Sequence, residues 1–306
     1  MPDVARPPAR AARPASPLAA GGRLVWRALP LPVRRALLYR RAYGRLPDRR
    51  DPQRFSEKLD WRLLHDRRPR LVEACDKLAS KEVARAAGVA SARVLWSGTD
   101  VGDLAGADLG ERWVLKPNHR SGGIVHLGEG PPDPAALREV VRGWLDPGTD
   151  ELRTGEWAYS GARRLLLVEE RLGAPGADLE DWKIHVLGGR PVLVQAHHGR
   201  FGEHRVRYYR PDWTLTDVVG GAPIADVAPP PPHLAEMLAA AARLGADWDY
   251  VRVDLYDVEE GVRFGELTVY PGSGLTDFRH DDWLDRELGA LWRLPVAAST
   301  PPRRRG

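Results

Sequence analysis

The sequence has one cysteine, Cys75, in 306 residues. A lone thiol cannot close an internal disulfide, so the disulfide-framework class is excluded and a reducing cytoplasm is expected. No run approaches the ~18 apolar residues of a membrane span, and the N-terminus lacks the apolar stretch of a secretory signal. Zinc-type spacing is missing too: His197-His198 has no third Cys or His at a ligand-like interval. There is no G-x-x-x-x-G-K-[ST] loop. Ser273, within Pro271-Gly272-Ser273-Gly274, does not match the G-x-S-x-G elbow. P-loop and serine-nucleophile chemistries are therefore disfavoured.

Acids are scarce at the two ends of the chain. Residues 1–50 hold twelve arginines against Asp3 and Asp48, a net +10 within a whole-chain +4, which leaves −6 for residues 51–306. The basic character belongs to an arm and not to the body. A nucleic-acid-binding domain would carry its Lys and Arg on a structured face with aromatic readers, so no nucleic-acid partner is expected. Residues 1–22, rich in Ala, Pro, Arg and Gly, read as a disordered arm. Residues 23–54 form a basic helical segment open to two readings. It either touches the inner face of an anionic membrane or docks on the body with solvated arginines. Residues 293–306 are a basic tail.

What is present begins with helices and strands that place polar residues in order. Ser56–His65 has helical patterning, and Asp76 is positioned to cap a second helix that carries Lys77 and Lys81 one turn apart. Trp113–Pro117 is a strand stopped by proline, with Lys116 near its end. The small-residue loop Asn118–Gly123 follows, and its Ser121, Gly122 and Gly123 would let backbone N–H groups approach phosphate oxygens. The apolar strand Leu165–Glu170 ends in Glu169-Glu170. Asp181, Lys183 and His185 then alternate with Trp182, Ile184 and Val186, so an acid, an amine and an imidazole share one strand face.

Tyr250–Gly274 reads as a β-hairpin turning near Glu260. That register sets Asp254 opposite Glu266, Arg252 opposite Thr268 and Tyr256 opposite Phe264. Facing carboxylates repel unless a cation lies between them. Two readings follow from the hairpin alone: a divalent-metal site of hard oxygens, or a solvated face on which Arg252 pairs with Asp254.

The blocks Phe55-Ser56-Glu57-Lys58-Leu59, Asp76-Lys77, Val114-Leu115-Lys116-Pro117-Asn118, Asp181-Trp182-Lys183, Val251–Tyr256 and Phe264–Thr268 occur in an order that resembles the ATP-grasp superfamily. Their pattern is most similar to its TupA-like branch, associated with teichuronopeptide and other surface-polysaccharide biosynthesis. The resemblance covers roughly residues 50–292. It implies an α+β protein in which two α+β subdomains clasp ATP, with residues 55–110 as an N-terminal subdomain and 111–292 as the ATP-grasp domain. It also implies roles. Lys77 and Lys116 would contact the α/β-phosphates, with Lys116 and Arg252 as catalytic residues, and Ser121–Gly123 would close over the β/γ end. Glu169, Glu170, Arg171 and Leu172 would form the adenine hinge, and Asp181 beside Lys183 would bind the ribose. Asp254, Glu266 and Thr268 would hold Mg²⁺, Thr268 standing where many ATP-grasp enzymes have Asn. The implied reaction is ATP-dependent ligation of a small-molecule carboxylate to an amine through an acylphosphate, with saccharide-linked substrates. A kinase acting on a saccharide hydroxyl and a non-catalytic membrane-associated adaptor are the alternatives.

Overall fold

The computed structural model describes residues 26, 28–120, 125–146, 154–174, 179–198, 205–216, 224–275 and 282–295. The arm 1–22, the loop residues Ser121–Gly123 and the tail from 296 onward lie outside them. Two antiparallel sheets organise the body. The smaller, in the order β1-β4-β2-β3, is built from β1 (Val94–Gly98), β2 (Arg112–Pro117), β3 (His126–Glu129) and β4 (Leu166–Glu170). The larger, β7-β6-β5-β8-β9, is built from β5 (Asp181–Leu187), β6 (Arg190–His198), β7 (Arg205–Tyr209), β8 (Tyr250–Val258) and β9 (Gly261–Thr268). Because β1 pairs with β4, chain on both sides of residue 110 contributes to the smaller sheet.

Each sheet has its own core. Leu104, Trp113, Leu115, Leu137, Leu166 and Val168 fill the smaller one. In the larger, Trp182, Ile184, Val186, Val251, Val253 and Leu255 point to one face and meet Met237, Ala241 and Leu244 of the helix Leu234–Gly245. That leaves the alternate residues of β5 and β8, which are polar, on the other face.

Helices tie this polar face to the N-terminal region. Among the described residues the α-helices are α1 (Leu31–Tyr43), α2 (Phe55–His65), α3 (Pro69–Cys75), α4 (Lys77–Ala86), α5 (Pro134–Val140), α6 (Ala158–Gly161), α7 (Leu234–Gly245) and α8 (Asp282–Leu291). The Phe55–Leu59 block is a structural fastener. The backbone N–H and hydroxyl of Ser56 donate to the two oxygens of Asp285 at 2.7 and 2.8 Å. Lys58 Nζ donates to the carbonyls of Gly289 and Trp292 at the end of α8, where a cation also suits the helix dipole. Gly289 is glycine because a Cβ there would overlap the backbone at Gln53 and Arg54.

The structure shows α1 docked on the body, but not with all its arginines solvated. The helix buries Arg35 and Tyr39 completely. Arg35 Nε donates to Asp60 at 2.8 Å, and its Nη1 donates to the carbonyls of Thr154 and Ser273 at 3.2 and 2.9 Å. Val33 and Leu37 face outward at 43% and 45% exposure. Buried polar and exposed apolar residues share this helix, so its helical wheel does not separate. No helix among the described residues is long and apolar enough to cross a membrane.

Arg35→Met leaves Asp60 buried with only Arg49 as a cation, at 2.9 Å. Urea unfolding of this variant is expected to show a loss of roughly 3 kcal/mol, the cost of breaking a buried ion pair. A loss below about 1 kcal/mol would contradict the docking role.

Candidate active site between the two sheets

The hairpin register is as read from the sequence at its inner end. Asp254 lies opposite Glu266, and Arg252 opposite Thr268. At the outer end it differs: Phe264 lies opposite Leu255, and Tyr256 opposite Arg263. The cause is a β-bulge in which Gly265 is the extra residue. A Cβ on Gly265 would stand 3.0 Å from the Asp254 carbonyl and 3.0 Å from the Tyr256 ring, so only glycine fits there without displacement.

Strand β5 lies beside β8 with Lys183 opposite Asp254 and His185 opposite Arg252. The result is a compact ionic cluster. Lys183 Nζ donates to Asp181 Oδ2 and to Asp254 Oδ2, both at 2.6 Å. Arg252 donates to the two oxygens of Asp254 at 2.7 and 2.8 Å, and to Thr268 Oγ1 at 3.1 Å. Thr268 Oγ1 in turn donates to Glu266 Oε1 at 3.3 Å. Burial raises the Asp254 pKa, but Arg252 and Lys183 outweigh it and hold the carboxyl well below its usual range. Glu266 is the open member, with its side chain 35% exposed against 2% for Asp254.

The network continues into residues that the motifs did not mark. His185 lies between Tyr250 Oη at 3.1 Å and Gln195 Oε1 at 3.5 Å, and Gln195 Nε2 donates to Tyr208 Oη at 3.1 Å. Burial, followed by the charge of Arg252, pushes the His185 pKa down to about 3, so it is neutral near pH 7. Tyr208 comes from β7, whose alternating Arg205–Tyr209 run was the available signal.

The opposite wall is built from α4 and the smaller sheet. Asp76 caps α4 by accepting from Ala79 N at 2.9 Å and is gripped by Arg163 Nε and Nη2 at 2.7 and 2.8 Å. Asn118, fully buried after β2, receives the α4 N-terminus: its carbonyl accepts from Lys77 N and its side-chain oxygen from Leu78 N. These bonds fix Lys77 beside the end of β2, where Nζ donates to the Arg120 carbonyl at 2.5 Å. Glu169 is not displayed at a strand end. It is buried between Lys116 at 2.5 Å and Lys81 at 2.9 Å, and these lysines, against its burial, keep it ionised. Glu170 bonds the Arg93 backbone at 2.8 Å, while Arg171 and Leu172 are half-buried beyond the strand.

The walls are electrostatically coupled. Burial lowers the Lys77 pKa, Glu266 raises it from the hairpin side, and Lys116 lowers it from the sheet side. Lys77 therefore responds to charge on the hairpin, at Glu266, and on the smaller sheet, at Lys116 and Glu169. Among the described residues no three His, Cys, Asp or Glu side chains converge as a ready metal cage. Two facing carboxylates and a hydroxyl still fit Mg²⁺, a hard ion that takes few protein oxygens and completes its shell from water and phosphate. His198 is committed elsewhere, to Glu180 at 2.7 Å.

A family model described as TupA-like ATP-grasp matches residues 57–293. The chain belongs to this family. Its two antiparallel sheets, flanked by helices, are the α+β ATP-grasp fold. Solved structures with likeness to this TupA-like chain include the D-alanine–D-alanine ligase of Bacillus anthracis complexed with ATP, at 16% identity over 64% of this chain and 54% of that one, with TM-score 0.40. The Helicobacter pylori D-alanine–D-alanine ligase shows 15% identity over 72% and 61%, with TM-score 0.41. The VanG D-Ala:D-Ser ligase of Enterococcus faecalis shows 13% over 71% and 62%, with TM-score 0.38. Among curated proteins, a thermosome subunit of Methanopyrus kandleri is 30% identical over 125 residues, 41% of this chain. The chain spans a fifth of that protein's length and just over half of the Bacillus structure.

The Asp76 pKa of about 2 reflects burial overcome by Arg163 and by backbone donors. Its folded value lies below the unfolded one near 3.9. The stabilisation is therefore complete above about pH 4 and lost as pH falls toward 2. The stability deficit of Asp76→Asn, followed by urea unfolding, should be constant from pH 7 to 5 and shrink below pH 4. A deficit unchanged at pH 2.5 would contradict the ion-pair account.

Proposed function

We propose that the chain is an ATP-dependent ligase that activates a carboxylate as an acylphosphate and transfers the acyl group to an amine. The observation that supports this most is the pairing of unlike walls: Lys77 and Lys116 on one side, and the Asp254–Glu266 hairpin with Arg252 on the other. Lysines at hydrogen-bond range of phosphate oxygens and carboxylates that accept a divalent ion are complementary to a metal–triphosphate. Lys77 and Lys116 would hold the α/β-phosphates. Segment 170–172 offers the adenine contact, because Glu169 itself serves the lysines. Asp181 would bind the ribose. Asp254, Glu266 and Thr268 would hold Mg²⁺, which would supply charge neutralisation at the phosphates.

Arg252 acts on the substrate side. Its guanidinium, anchored by Asp254 and Thr268, offers fixed donors to the acylphosphate and to the oxyanion that forms when the amine attacks. Such donors cost no reorganisation at the moment of reaction. Burial of the cluster keeps water from the acylphosphate.

The resemblance to the TupA-like branch supports saccharide-linked substrates in surface-polysaccharide assembly. The outward face of α1, with Val33 and Leu37 exposed beside Arg40 and Arg41, supports peripheral contact with an anionic membrane from the cytoplasmic side.

Incubation with Mg·ATP, hydroxylamine and a panel of sugar acids and amino acids should yield a hydroxamate with ADP. A stable phosphorylated sugar with no hydroxamate would instead establish a kinase. Glu266→Gln should reduce ADP release by about 100-fold, the loss of roughly 3 kcal/mol of charge stabilisation, with Tm nearly unchanged. A near-normal rate would remove the metal-site assignment.

A further inference from the structure

Asp254 is engaged on both oxygens by cations. Oδ1 accepts from Arg252 Nε at 2.7 Å; Oδ2 accepts from Arg252 Nη2 at 2.8 Å and from Lys183 Nζ at 2.6 Å. The same Lys183 ammonium holds Asp181 Oδ2 at 2.6 Å. One amine thus bridges the residue proposed for the metal and the residue proposed for the ribose. We propose that Lys183 is a resident counter-cation that withholds Asp254 from free divalent ions, so that metal enters with the nucleotide. The inference rests on the nucleotide-binding reading of the site.

The physical case is one of like-charge exclusion. A bare divalent ion at Asp254 would sit against the Lys183 ammonium and the Arg252 guanidinium, which already occupy both of its oxygens. Like charges at such range repel strongly where water is excluded. A metal–triphosphate would reverse the balance, because its phosphate oxygens would offer Lys183 an acceptor in place of Asp254. The Lys183 side chain is 10% exposed, against 1% for Asp181 and 2% for Asp254. Lysine suits the task better than arginine, being a point charge on a flexible stem without bidentate geometry. Arg252, held by three bonds to Asp254 and Thr268, is the fixed member of the pair.

Titration of the full chain with Mn²⁺ in the absence of nucleotide, read from the electron paramagnetic resonance of free Mn²⁺, tests this. Lys183→Met is expected to bind one Mn²⁺ at least tenfold more tightly than the wild type. Lys183→Arg should stay close to wild type, and adding Asp254→Asn to Lys183→Met should erase the gain. Equal Mn²⁺ affinity for wild type and Lys183→Met, or a gain that survives Asp254→Asn, would overturn the proposal. If Lys183→Met does not fold, Lys183→Gln gives the same comparison. Thermal shift with ATP and EDTA separates the two readings. A gain in Mn²⁺ affinity without nucleotide binding would leave the counter-cation standing and remove the nucleotide. Nucleotide binding without the gain would do the reverse.

Discussion

Asp254 is a carboxylate buried on an inner strand of a five-stranded sheet, and the polar face around it is arranged to keep it charged. Burial of an unpaired carboxylate is costly enough that the group would neutralise instead. Arg252 and Lys183 prevent that, and each reaches Asp254 by strand geometry: Arg252 from two residues away on the same face, Lys183 from the facing position on β5. With both partners committed to Asp254, Thr268 is aligned by Arg252 and Asp181 by Lys183. Only Glu266 remains substantially exposed. One buried charge therefore decides which side chains are fixed and which is open.

The second wall is fixed by different means. There the backbone carries the burden: Asp76 and Asn118 satisfy N–H groups at the start of α4 that have no intrahelical partner. Lys77 is held by the geometry of its helix terminus, and Lys116 by Glu169. Between the sheets, Phe264 N bonds the Ala90 carbonyl at 2.7 Å, so β9 is joined to the segment that leads into β1. The lysine wall and the hairpin are thus linked through covalent chain and a backbone hydrogen bond, not through side-chain contacts alone.

Much of this was legible in the sequence because the signals are local. Alternation gave the two faces of β5 and β8, and a short turn gave the register that sets Asp254 against Glu266. The Asp76 cap and the proline that ends β2 were equally local. The family blocks supplied their order. What escaped was set by tertiary structure. A bulge at Gly265 shifted the outer hairpin by one residue, since nothing in Phe264-Gly265-Glu266 distinguishes a packed glycine from a bulged one. Glu169 looked like a carboxylate at a strand end, yet it is the buried counter-ion of two lysines from separate elements. The α1 helix had no clear apolar stripe because it docks through Arg35 and Tyr39, and an arginine that is buried cannot be told from a solvated one by spacing. Gln195 and Tyr208 joined the network through a strand pairing that no motif encodes.

The central claim is that a metal–triphosphate lies between the lysine wall and the Asp254–Glu266 hairpin. The most direct measurement is a crystal structure of the chain with Mg²⁺ and a non-hydrolysable ATP analogue. The account predicts phosphate oxygens within hydrogen-bond distance of Lys77 and Lys116, and the ion coordinated by Asp254 and Glu266. A nucleotide bound elsewhere, with the Arg252–Asp254–Lys183 cluster unchanged and no ion on Glu266, would contradict it.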